Sequence, residues 1–92
     1  MSIVIVGGND RMVTRYKNIC NEFKCKSKVF TQMPADFENK IGMPDLVIVF
    51  TAACSHKMLG GVKRHTEKSG TPVEHLHSSS ASALKKLLAR YA

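Results

Sequence analysis

Cys54 and His56 stand two residues apart, directly after the most apolar run of the chain, Leu46-Val47-Ile48-Val49-Phe50. A thiol and an imidazole at that place offer two chemistries. As ligands they suit zinc, copper or iron, haem iron included. As catalytic groups they would rely on the lowered pKa of a cysteine at a helix N-terminus. His77 follows another candidate strand and is the natural third ligand. His75 shares its strand face, because side chains alternate along a strand. Against the ligand reading, a small cysteine is often simply buried, and a histidine at a helix start often only caps or packs. Met58 is a remoter axial candidate, since methionines mostly fill gaps in cores.

A second group surrounds Gly7-Gly8-Asn9-Asp10-Arg11, where a strand gives way to a helix. Free amides and the positive end of a helix favour an anion there, and Arg11 and Arg15 add charge. The loop has neither the Lys-Ser/Thr of a Walker motif nor the third glycine of a dinucleotide fingerprint. A tight strand-to-helix turn calls for glycine in any case. Thr51, Ser55, Ser78 and Ser79 supply hydroxyls in the neighbouring loops. A covalent mechanism finds less support. A phosphatase loop would place an arginine where Gly60 stands, and a receiver domain would end its third strand in aspartate, whereas this one ends Phe50-Thr51. Asp10 is the one acid or base within reach of either reading.

These residues need a frame. Ile3 to Val6 and Leu46 to Phe50 are short, continuous apolar runs, the pattern of strands buried on both faces. Met12, Tyr16, Ile19, Cys20 and Phe23 recur at helical spacing and predict an amphipathic helix over about Asp10 to Lys24. Lys28 to Gln32 suits an edge strand whose lysines discourage pairing with other chains. Pro34 could open a short helix through Phe37 and Ile41, ended by Gly42. Ser55 caps a helix from His56 to about Lys68, although Gly60-Gly61 in its middle costs about 1 kcal/mol per glycine relative to alanine. Either something packs closely there or the helix is weak. Thr71 to Leu76 reads as a fourth strand and Ala81 to Tyr91 as the last helix.

Strands alternating with helices predict an α/β fold of three layers. Its sheet has four parallel strands in the order 2-1-3-4, with the most apolar strands central. The crevice then opens at the C-terminal ends of strands 1 and 3, where ligands bind in open sheets. Three loops meet there: Gly7 to Arg11, Thr51 to His56 and His77 to Ser80.

Ninety-two residues, 43% of them apolar, are expected to form a single domain over 1–92 with a modest core. A ligand would sit in an edge cleft or between two subunits, and a homodimer is expected because a small sheet leaves two edges to cover. The net charge of +7 fits an acidic partner or good solubility. The basic residues are scattered, and no nucleic-acid motif accompanies them. No apolar run reaches the roughly 20 residues of a membrane span. The opening Met1-Ser2-Ile3-Val4 enters a strand without a basic leader, so a cytoplasmic protein with reduced thiols is expected.

Strand 1 ending Ile-Val-Gly-Gly, strand 3 reading Asp-Leu-Val-Ile-Val-Phe-Thr, the Ser-His after it, the Gly-Thr-Pro-Val lead into strand 4 and the serines before the last helix resemble the domain of unknown function 2325 family of small bacterial proteins. The resemblance covers nearly the whole chain. It implies a Rossmann-like domain and points to Gly7, Gly8, Thr51 and His56, without supplying an activity. The His75-Leu76-His77 pair lies outside that pattern.

The leading expectation is a non-enzymatic binding protein, such as a sensor, that holds haem or a transition metal ion through His56, Cys54 and His77. Arg11 and Arg15 would neutralise its carboxylates. The alternatives are an anion- or nucleotide-binding module built on Gly7 to Arg11 and Ser78 to Ser80, an enzyme using Cys54 or His56, and an interaction domain with no ligand.

Overall fold

The computed structural model describes residues 1–91. In chain order it contains β1 (Ser2–Val6), a 3-10 turn (Asp10–Met12), α1 (Val13–Glu22), β2 (Lys26–Phe30), α2 (Phe37–Ile41), β3 (Leu46–Phe50), a second 3-10 turn (Thr51–Ala53), α3 (His56–Ser69), β4 (Val73–Leu76) and α4 (Ala81–Ala89). The strands form one parallel sheet in the order β2-β1-β3-β4, as the sequence predicts.

Alternation along the two central strands sorts their side chains by size. Ile3, Ile5, Leu46, Ile48 and Phe50 pack with Tyr16, Ile19 and Cys20 of α1 and Leu84, Leu87 and Leu88 of α4. Val4, Val6, Val47 and Val49 pack on the other face with Phe37 and Ile41 of α2 and Met58 and Val62 of α3. Every β3 residue is buried, which explains the unbroken apolar run. Gly61 lies where α3 meets α2: a Cβ there would stand 3.0 Å from Phe37 Cδ2. Close packing is therefore the role of this glycine, and the helix is not interrupted.

Five boundaries differ from the sequence reading. The predicted first helix begins as a 3-10 turn, because Asn9 Oδ1 accepts from the Arg11 amide at 2.9 Å and Asn9 C=O from the Met12 amide at 2.8 Å. The helix ends at Glu22, two residues before the predicted Lys24, which itself takes a left-handed φ of 59°, with the Cys25 amide donating to Cys20 C=O at 2.9 Å. A lysine thus occupies a conformation that glycine usually signals. Consequently β2 starts at Lys26, paired with Ser2, two residues before the predicted strand. Asp36, at φ 57°, and not Pro34, precedes α2, and its carboxylate accepts from Asn39 Nδ2 at 2.8 Å. β4 is shorter than predicted, with Pro72 contributing only its carbonyl, to the Val47 amide at 3.0 Å.

Candidate functional site

The three predicted loops do meet at the C-terminal edge of the sheet, and hydrogen bonds knit them together. The Gly7 amide donates to Phe30 C=O at 2.8 Å and the Gly8 amide to Ala53 C=O at 2.9 Å. The Ala52 amide reaches His77 C=O at 3.3 Å, and Thr51 Oγ1 donates to Leu76 C=O at 3.4 Å. Gly7 and Gly8 have φ of 96° and 90°. A Cβ on Gly7 would lie 2.8 Å from Ala53 O, and one on Gly8 2.7 Å from the Tyr16 hydroxyl. Turn geometry and close approach account for both glycines. Their amides, expected to cradle an anion, are committed to protein carbonyls.

Tyr16 is the residue that the sequence reading missed in this role. It reads as one more apolar position of α1. In the fold it is fully buried beneath Gly8, packed at a tilt against Phe50 with ring centroids 5.0 Å apart, and its hydroxyl donates to Ser79 C=O at 2.6 Å. Burial pushes its pKa up. The phenol lies under Gly8 of the first loop and ties that loop to Ser79 of the third. The signal was there in part, since a core tyrosine needs a partner for its hydroxyl.

The remaining polar groups divide into those already occupied and those facing solvent. Asp10 accepts from Thr31 Oγ1 and, at 2.9 Å, from Gln32 Nε2, so both its oxygens are held by the loop after β2. Ser55 Oγ accepts from the Met58 amide at 3.2 Å, as a cap should. The Leu59 amide goes to Ser55 C=O at 3.0 Å, which leaves the amides of His56 and Lys57 without a place in the ladder of α3. For α4 the cap is Ser80, whose Oγ accepts from the Ala83 amide at 3.2 Å. Ser78 Oγ accepts from the Ser80 amide at 3.2 Å, and Ser79 serves Tyr16. Arg11, Arg15, His56, Lys57 and His77 are exposed.

Cys54 is half-buried. Its side chain belongs to the α2/α3 side of the core and lies 3.2 Å from where a Gly7 Cβ would be. Burial pushes its thiol up, away from a thiolate at neutral pH. Among the described residues no group of three or more His, Cys, Asp or Glu side chains is gathered to hold one metal ion. Cys54, His56 and His77 therefore do not make a chelating set within one chain. A groove of about 310 Å³ runs beside the site, between α3 and β4, lined by Val49, Leu59, Val62 and Val73 with Lys63 and His75.

A four-stranded parallel sheet between two helix layers, with its loops gathered over strands β1 and β3, defines a small Rossmann-like α/β domain. The chain belongs to the family described as uncharacterized protein conserved in bacteria (DUF2325), whose model matches residues 2–91. No curated protein and no solved structure matches it. Among the described residues no helix is long and apolar enough to cross a membrane.

Proposed function

We propose that this protein is a non-enzymatic binding module that takes an anionic ligand, a phosphate or carboxylate compound, at the C-terminal edge of its sheet. The observation that carries this reading is the polarity of that edge. The N-terminal ends of α3 and α4 and the turn that leads into α1 all open on it, each presenting partial positive charge. Arg11, Arg15 and Lys57 are exposed around it, and the nearby carboxylate, Asp10, is already engaged by Thr31 and Gln32. The amides of His56 and Lys57, and not the glycine loop, are the backbone donors that suit an anion. The raised thiol of Cys54 supports binding over covalent catalysis.

Haem is the second reading, favoured by the apolar groove beside exposed imidazoles. His56 would be its first-choice axial ligand, with the propionates toward the basic edge. A groove of about 310 Å³ sits at the low end of ligand pockets, roughly 300–1,000 Å³. A macrocycle would therefore need cover from a second subunit. That fits the homodimer that we infer through the β4 edge, and the three free thiols suit a cytoplasmic setting.

The test is an absorption spectrum and metal analysis of protein from cells supplied with iron and a haem precursor, followed by a thermal-shift screen of phosphate compounds. A phosphate compound that raises the melting temperature of wild type, and less so that of Arg11→Ala, supports the anion module. A Soret band lost in His56→Ala selects haem. A colourless protein that no anion stabilises overturns both.

A further inference from the structure

The positive charge of this protein is not evenly spread over its two helix layers. The layer formed by the first 3-10 turn, α1, α4 and the residues that end them carries Arg11, Arg15, Lys17, Lys24, Lys85, Lys86 and Arg90, all exposed. Against these seven bases stand two carboxylates, Asp10 and Glu22. This one layer thus holds five of the seven net charges of the chain. The α2/α3 layer holds the other two, with Lys40, Lys57, Lys63, Arg64 and Lys68 against Asp36, Glu38 and Glu67. Arg90 pairs with Glu74 of β4 at 3.9 Å, and the only other ion pair among the described residues, Arg64 with Glu38 at 3.3 Å, lies on the α2/α3 side. The other six bases of the α1/α4 layer carry no ion pair among the described residues.

The chemistry of the layer narrows its partner. The apolar stripes of α1 and α4 are spent on the core. The exposed large apolar residues, Met1, Met33, Met43 and Tyr91, all lie outside both helices. A bilayer-bound helix needs an apolar face to sink into the headgroup region. A protein interface is built on aromatic anchors and is depleted of lysine. A single strand would want aromatic platforms for its bases. Only at one end of the layer do Met1 and Tyr91 form an apolar spot, beside Phe23 and Leu88; the rest, a face of lysine and arginine, matches evenly spaced phosphates, which need charge but no pocket. We propose that the α1/α4 face docks the sugar-phosphate backbone of duplex nucleic acid without reading its sequence. The absence of a recognition motif agrees with that mode, since phosphate contacts position a protein but do not specify bases.

The experiment is fluorescence anisotropy of a short labelled duplex DNA of mixed sequence titrated with the full chain. Wild type is expected to bind at about 50 mM salt and to lose roughly 10³-fold in affinity by about 200 mM, the behaviour of some six phosphate contacts. Replacing Lys17, Lys85 and Lys86 together by Gln should weaken binding and lower the slope of log affinity against log salt by about 2.7, near 0.9 per contact. Lys63→Gln with Lys68→Gln, on the opposite layer, should leave the slope unchanged. Arg11 and Arg15 stay intact in both variants, so the ligand site at the sheet edge is not disturbed. No binding at about 50 mM salt, equal losses in the two variants, or tighter binding to vesicles of equal parts phosphatidylcholine and phosphatidylserine than to the duplex would each overturn the proposal.

Discussion

Gly8 and Tyr16 form the tightest coupling at the candidate site, and it can be measured. Alanine at position 8 must adopt a φ of 90° and push its Cβ to 2.7 Å from the hydroxyl and 2.8 Å from Cε2 of a ring that is fully buried. Strained backbone costs of order 1–3 kcal/mol, and the ring has no room to retreat. Gly8→Ala is therefore expected to lose about 2–4 kcal/mol in urea denaturation. Tyr16→Phe removes the hydrogen bond to Ser79 C=O and should lose about 1–2 kcal/mol. The double variant should lose less than the sum, because the hydroxyl that Gly8→Ala strikes is gone. Strict additivity would mean that the two residues are not packed against each other as described. The need for glycine at the end of strand 1 was legible in the sequence, since a strand turned there into a helix. The use of Tyr16 was not, because its partner Ser79 lies 63 residues away. The committed amides of Gly7 and Gly8 were equally hidden: sequence reports that a glycine loop exists, not where its N–H groups are spent.

Helix α3 shows how much an element's sequence says and withholds. Its cap at Ser55 and its end near Gly70 could be read locally, because both depend on residues within one turn. The meaning of Gly60-Gly61 could not, because it depends on α2. A Cβ on Gly61 would meet the ring of Phe37 at 3.0 and 3.4 Å, whereas one on Gly60 would meet only the far end of the exposed Arg64 side chain, at 3.2 Å from Nη1. Two adjacent glycines of one helix should therefore answer alanine differently. Gly60→Ala is expected to stabilise the protein by about 0.5–1 kcal/mol, the helix-propensity gain. At Gly61 the same gain is opposed by displacement of Phe37, and Gly61→Val should lose about 1–3 kcal/mol by overpacking. Thermal melts of the variants at one pH decide it, and equal stabilisation by alanine at both positions would mean that α2 does not pack against α3 as described. The β2 boundary failed for a related reason. Its residues are half-buried or exposed, so their pattern is weak, and the left-handed Lys24 that sets its start carries no compositional mark.

At the scale of the molecule, the choice of central strands followed from apolarity, because only central strands must be apolar on both faces, and the strand–helix alternation supplied the rest of the order. The same logic leaves two edges, and they are not alike. β2 carries Lys26 and Lys28, charges that discourage a further strand. β4 reads Val73-Glu74-His75-Leu76, with no lysine or proline within it. Pro72 C=O bonds to β3, and alternate residues of a strand bond to the same neighbour, so the amides of Val73 and His75 point away from the sheet. Two copies joined there would make one continuous eight-stranded sheet and bring the apolar grooves beside Val73 close to the junction. Each copy carries a net charge of +7, so the copies repel one another until salt screens them. The screening length falls from about 10 Å at 0.1 M to about 3 Å at 1 M. Self-association should therefore tighten as salt rises, the opposite of what phosphate binding on the α1/α4 face must do. Sedimentation equilibrium across that range separates the two. His75→Pro deletes an outward amide while sparing the bonds to β3, a place where an edge strand tolerates proline. It should leave a folded protein that stays monomeric at every salt concentration. A wild-type chain that remains monomeric at 1 M salt, or a His75→Pro variant that still associates, would place any dimer away from β4 and leave the groove open to solvent.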